Sequence, residues 1–171
     1  MPFKIKNWFF LKKNLTTNKK EKELSKNMLA EDYVNEGEKY ANKNNLEESM
    51  RCFDAAINLD PKNDLALGDK ALILEIFGKY EEALTFFSRA LKINPANSIT
   101  WHNKGLTFIR LNRLDEAIEC FDKAIELKKD YAKAWYNKGR CLEMMSEIKK
   151  SQECLNIARK LDPFLFTKVK K

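Results

Sequence analysis

One histidine, His102, and four cysteines, Cys52, Cys120, Cys141 and Cys154, are the side chains best suited to nucleophilic, acid–base or metal chemistry in this chain of 171 residues. A histidine-assisted nucleophile needs a Ser or Cys beside the ring and a third group to orient it. No such arrangement is legible. A zinc site needs ligands that converge, as a CxxC pair does, and the chain has no CxxC. No Gly-rich phosphate loop and no paired-carboxylate site occurs. With one histidine, acid–base catalysis would fall to carboxylates of shifted pKa. The chain reads as a non-enzyme with no cofactor and no metal.

The elements that must position these residues announce themselves by repetition. "WHNKG" (Trp101–Gly105) returns as "WYNKG" (Trp135–Gly139) after 34 residues. Shifting the chain against itself by that interval aligns four copies without insertion: 30–63, 64–97, 98–131 and 132–165. One column reads Tyr33, Leu67, Trp101, Trp135, and four residues on comes Gly37, Ala71, Gly105, Gly139. A later column reads Ser49, Ala83, Ala117, Ser151. It is followed by Phe53, Phe87, Phe121, Leu155, and then by Ala56, Ala90, Ala124, Ala158. The last column is Pro61, Pro95, Lys129, Pro163.

Each column has a physical reason. Trp101, Gly105 and Phe108 stand at i, i+4 and i+7 and share one helix face. The small residue between them admits a second helix at close range. Ala117, Phe121 and Ala124 make the matching small–large–small stripe. Short polar turns, such as Asn44–Asn45 and Gly78–Lys79, separate the two helices, and proline stops the second. A helix pair of this size cannot bury its apolar stripe alone, so the copies must stack.

The period and the registered columns resemble the tetratricopeptide repeat, in its small prokaryotic form with "NKG" and "CFDKA" phrases. The resemblance covers 136 of the 171 residues. It implies an all-α fold, a right-handed α-α superhelix of four helix–turn–helix repeats. Around it the domains read as a basic, partly helical N-terminal extension (1–29), the array (30–165) and a short basic tail (166–171). Leu67, Ala71, Lys129, Ser151 and Leu155 depart from the family pattern and loosen packing locally. Cys52, Cys120 and Cys154 fall in one column. Equivalent sites in stacked repeats lie about a helix pair apart, beyond the roughly 7 Å that a disulfide allows between Cα atoms. They are expected to be packing residues with free thiols, as suits a reducing cytoplasm.

The third copy carries a second stripe, Ile99, His102, Leu106 and Ile109, where a surface helix should be apolar on one face only. In the family, first helices line a concave groove, and the resemblance implies that this stripe faces it. The first copy would contribute Glu31, Val34, Asn35, Glu38 and Asn42. The second would give Leu65, Asp69, Leu72, Glu75 and Ile76. The third adds Asn103 and Arg110 to its stripe, and the fourth gives Lys133, Tyr136, Asn137, Arg140 and Met144. The groove would be acidic at its start, apolar in the middle and basic at its end. The expected partner is a protein or peptide with an apolar centre and its acidic part toward Lys133 and Arg140. Groove asparagines can hold a peptide backbone through both amide donor and acceptor. A clamp for a C-terminal carboxylate is not expected, since the column Val34, Gly68, His102, Tyr136 holds no lysine. In that column His102 reads as a specificity or surface residue. The competing expectation is that the apolar middle is filled by the protein itself.

The net charge of +7 sits at the ends. Residues 1–29 hold 8 Lys against 2 Glu, residues 166–171 hold 3 Lys, and residues 30–165 hold 21 Lys and Arg against 23 Asp and Glu. Residues 1–16 mix Phe3, Ile5, Trp8, Phe9, Phe10 and Leu11 with four lysines. They stay open to three readings: a membrane-surface anchor, an intramolecular plug of the groove, or an extra packing element or frayed tail. Nucleic acid is not expected, because the basic residues here are all Lys, without Arg for bidentate base contacts. No secretory signal is legible: the run Trp8–Leu11 is too short. A cytoplasmic interaction scaffold is the leading reading. The alternative is a membrane-associated or self-assembling protein that uses its basic-aromatic N-terminus and an uncovered C-terminal end near Phe164, Leu165 and Phe166.

Overall fold

The computed structural model describes residues 19–166, with side chains from residue 29 onward and at Lys26. The basic-aromatic stretch 1–16 and the last lysines lie outside these residues. The chain divides into two compact units, 1–63 and 64–171.

The first unit holds α1 (Lys19–Asn42) and α2 (Leu46–Leu59). Helix α1 runs unbroken across the border between the basic extension and the first copy. The second unit holds α3 (Asp64–Ile76), α4 (Tyr80–Ile93), α5 (Ser98–Arg110), α6 (Leu114–Leu127), α7 (Ala132–Met144) and α8 (Ile148–Leu161). A 3₁₀ turn, Pro163–Phe166, follows. The bounds of α3, α5 and α7 repeat every 34 residues, and so do those of α2, α4, α6 and α8. No strand occurs among the described residues.

The turn inside each copy is built one way. Asn44, Gly78, Asn112 and Ser146 adopt left-handed backbone, with φ between 57° and 74°. The next residue's N–H then reaches back to a carbonyl five residues earlier, Asn45 to Tyr40, Lys79 to Leu74, Arg113 to Phe108 and Glu147 to Leu142. This satisfies a carbonyl that the helix end would leave orphaned. Asn and Gly take left-handed backbone cheaply, and Ser146 does so at greater cost. The second helices stop at the same position whether Pro or Lys129 follows. Their caps Asp60, Asn94, Lys128 and Asp162 are extended or nearly so, each donating N–H to the column alanine.

The columns meet as their sizes require. In the first unit a Cβ on Gly37 would lie 2.7 Å from the Phe53 ring. In the second, a Cβ on Gly105 would lie 2.7 Å from Phe121, and one on Gly139 would lie 2.9 Å from Leu155. Phe53, Phe87 and Phe121 are fully buried, as are the column alanines. Burying a phenylalanine side chain stabilises by about 1.5–3 kcal/mol relative to leaving it exposed. Trp101 Nε1 donates to the Pro95 carbonyl at 2.9 Å, and Trp135 Nε1 to the Lys129 carbonyl at 3.0 Å. The two tryptophans thus tie each first helix to the loop before it.

Candidate functional site

In the second unit each first helix packs on the one before it, α5 on α3 and α7 on α5. Each has one buried sector and one stripe left over. On α3 the stripe is Leu65, Asp69, Leu72 and Ile76, at i, i+4, i+7 and i+11. On α5 the same register gives Ile99, Asn103, Leu106 and Arg110, and on α7 Lys133, Asn137, Arg140 and Met144. Leu65, Ile76, Ile99 and Met144 are each more than half exposed, and Arg110, Lys133 and Arg140 are exposed. Asp69, Leu72, Asn103, Leu106 and Asn137 are half-buried. Leu106 and Ile109 lean on the core of Phe108, Phe121 and Ala134, so the protein fills part of the apolar middle itself. Asn35 is exposed on α1 and belongs to the other unit.

Electrostatics grade the stripe. Burial raises the Glu75 carboxyl above its ordinary pKa, and the charge of Arg110 opposes that shift. Arg140 pairs with Glu143 at 2.7 Å on its own helix, an exposed pair of small energetic weight.

His102 is not on the surface. Its side chain is 5 % exposed. The ring lies 5.6 Å from that of Phe121 and 5.0 Å from that of Tyr131, centroid to centroid. Nδ1 is 3.3 Å from Asn103 Oδ1, and Nε2 is 2.9 Å from Asn137 Nδ2. Burial pushes the ring's pKa below the usual histidine range; the bond to Asn103 opposes this and the charge of Lys133 adds to it. The expectation of a surface residue is therefore corrected, and the reason is helical geometry. His102 precedes Gly105 by three residues, so it is a same-face neighbour of the packing stripe. Val34 stands three before Gly37 and is 5 % exposed; Tyr136 stands three before Gly139 and is half-buried. Within the second unit this column faces the next element along the chain. Tyr136 meets Phe166 of the 3₁₀ turn edge-on, at 5.3 Å.

Two partners in these contacts carried no signal in the repeat columns. Tyr131 sits where other copies have Asn63, Asn97 and Leu165, and Phe166 lies beyond the last copy. Alignment to the 34-residue register would have picked out Tyr131 as the odd residue of its column. Phe166 lies under Arg159 at 4.6 Å, whereas Phe164 is 76 % exposed.

The four cysteines are free and buried. Burial raises every thiol, Cys120 and Cys141 to about 11. At neutral pH they are protonated and poor nucleophiles. Among the described residues no three His, Cys, Asp or Glu side chains converge to hold a metal ion. No helix among them is long and apolar enough to cross a membrane. An open depression of about 520 Å³ lies away from the stripe, lined by Arg89, Lys92, Lys104 and Arg113 with Glu81.

Family models for the tetratricopeptide repeat match residues 34–98, 98–131 and 120–155. No curated protein matches the sequence. Among solved structures the fold matches MamA, with a TM-score of 0.75, 17 % identity and 81 % of each chain covered. It matches Pseudomonas aeruginosa pilF with a TM-score of 0.75 and 18 % identity, over 81 % of this chain and 64 % of that one. It also matches the first TPR of Spaghetti (RPAP3), solved bound to the HSP90 peptide SRMEEVD. There the TM-score is 0.68 at 18 % identity, over 70 % of this chain and 95 % of that one. Helices, turns and columns recurring every 34 residues agree with these matches: the chain is an all-α solenoid and belongs to the tetratricopeptide repeat family.

Proposed function

We propose that the chain is a non-catalytic protein-interaction scaffold that binds a peptide segment of a partner along the stripe of α3, α5 and α7. The observation that carries this is the apolar exposure on that stripe: Leu65, Ile76, Ile99 and Met144 each leave more than half their surface in water. Exposed apolar side chains gathered on one face mark interaction surfaces more often than scattered ones do. Lys133 and Arg140 at one end favour an acidic part of the ligand there. The half-buried Asn103 and Asn137 supply amides for its backbone. The Spaghetti (RPAP3) domain of like fold, solved with an acidic peptide, supports a ligand of this class.

The test uses peptides selected from a random library against the full chain. Leu65→Asp/Ile99→Asp changes two exposed side chains and should keep the helical fold. The reading predicts that it weakens the selected peptide about tenfold or more, some 1.4 kcal/mol or above. Equal affinity for the folded variant and the parent would remove the stripe from the account.

A second reading, self-association through the C-terminal end, draws on the exposure of Phe164 and Leu161, 76 % and 42 %. Sedimentation equilibrium of the full chain and of Phe164→Ser decides it. A monomer at all concentrations ends that reading.

A further inference from the structure

Asn103 and Asn137 are the same residue at the same place in successive copies, so repetition alone would have them offer a ligand the same groups. The buried ring between them breaks that equivalence. Asn137 turns its amide nitrogen, a pure donor, to His102 Nε2 at 2.9 Å. That nitrogen must then accept, which requires the ring proton on Nδ1. Asn103 turns its carbonyl oxygen, a pure acceptor, to Nδ1 at 3.3 Å. The two amides therefore call for one and the same neutral tautomer. Phe121 and Tyr131 hold the ring in place.

We propose that His102 is a positioning residue that fixes these two amides in opposite senses and so gives the stripe a hydrogen-bonding direction. With its oxygen engaged, Asn103 offers its NH₂ group from α5. With an N–H engaged, Asn137 offers its carbonyl from α7. An extended peptide backbone presents N–H and C=O in a fixed order along one edge, so a donor and an acceptor at fixed spacing match one chain direction in a given register. The ligand class is an extended peptide held in one orientation. This rests on the stripe being the ligand face, as proposed above.

Two measurements on the full chain separate the parts. Nitrogen-15 NMR of the His102 ring at pH 7.5 should show a protonated Nδ1 and a bare Nε2; the reverse tautomer overturns the proposal without any ligand. The second compares a library-selected peptide with its reversed sequence, which keeps the side-chain order when bound backwards. The parent should prefer the selected direction by about tenfold or more. In His102→Phe, checked for folding by circular dichroism, that preference should fall toward unity. His102→Gln, which keeps an acceptor for Asn137, should restore part of it and guards against a Phe variant that fails to fold. A preference absent in the parent, or unchanged in the variants, overturns the proposal. Failure of any peptide to bind tells against the stripe instead, and the ring tautomer then decides the amide polarity.

Discussion

Helices α5 and α7 carry almost the same five residues, and the one difference within that phrase meets different neighbours. Both tryptophans donate to the loop before the helix. Both glycines accept a large side chain where a Cβ would stand. His102 goes between α6 and the start of α7, while Tyr136 goes to the 3₁₀ turn. The shared residues build a repeat; the variable one joins it to whatever follows. In the last copy, with no further repeat among the described residues, the turn carrying Phe166 takes the joint.

The comparison breaks most readily at the large side chain. Phe121→Ala should cost about 3–5 kcal/mol and Leu155→Ala, at a half-buried site, nearer 2 kcal/mol, in urea unfolding. Equal losses would mean that the two joints are packed alike. Glycine sharpens the point, with a change of sign. Gly105→Ala drives a Cβ into the fully buried Phe121 ring and should cost about 1–3 kcal/mol. Gly139→Ala meets the more yielding Leu155 and should cost less. Gly68→Ala meets only Thr100 Oγ1, at 3.9 Å, and should stabilise by about 0.5–1 kcal/mol through helix propensity. A destabilised Gly68→Ala would contradict the packing described. Trp101→Phe and Trp135→Phe each lose one indole bond to a loop carbonyl, and each should cost about 1 kcal/mol beyond the change in packing.

The smallest effect is a pH dependence. His102 is the only histidine, and burial lowers its pKa in the folded chain while the charge of Lys133 acts in the same sense. The unfolded chain then binds a proton more readily than the folded one. Stability should be flat just above pH 7 and should fall as pH drops through about 6.5, the ordinary histidine value, toward the folded pKa. His102→Phe should lack this slope between pH 7 and 5.5. A parent stability that rises on acidification through that window would contradict the burial of the ring.

Much of the fold was legible because each turn, cap and stripe recurs at one interval. The turn residues Asn44 and Gly78 lie inside phrases read as turns, and Asn112 and Ser146 follow at the same 34-residue interval. The loss of proline at Lys129 left the bounds of that helix and its cap bond to Ala124 as in the other copies. In the third copy the second stripe could be read from Ile99 and Leu106, apolar residues outside the packing face, whereas Leu65 and Lys133 came only with the family resemblance. What misled was the column of His102. Its residue types, Val, Gly, His and Tyr, suggest a position free to vary, and variability reads like surface. Its spacing from Gly105 carries the better signal, because three residues along a helix is the same face. The contacts of Tyr131 and Phe166 depend on how chain segments meet, and no period in the sequence encodes that.

The central claim is that the ligand face is the stripe on the first helices of the second unit. Backbone amide chemical-shift mapping of the full chain, with a peptide selected from a random library, tests it most directly. The account predicts that the largest shifts follow Leu65, Asp69, Asn103, Asn137 and Arg140 along α3, α5 and α7. Shifts gathered instead on α4, α6 and α8, around Arg89 and Lys92, would contradict it.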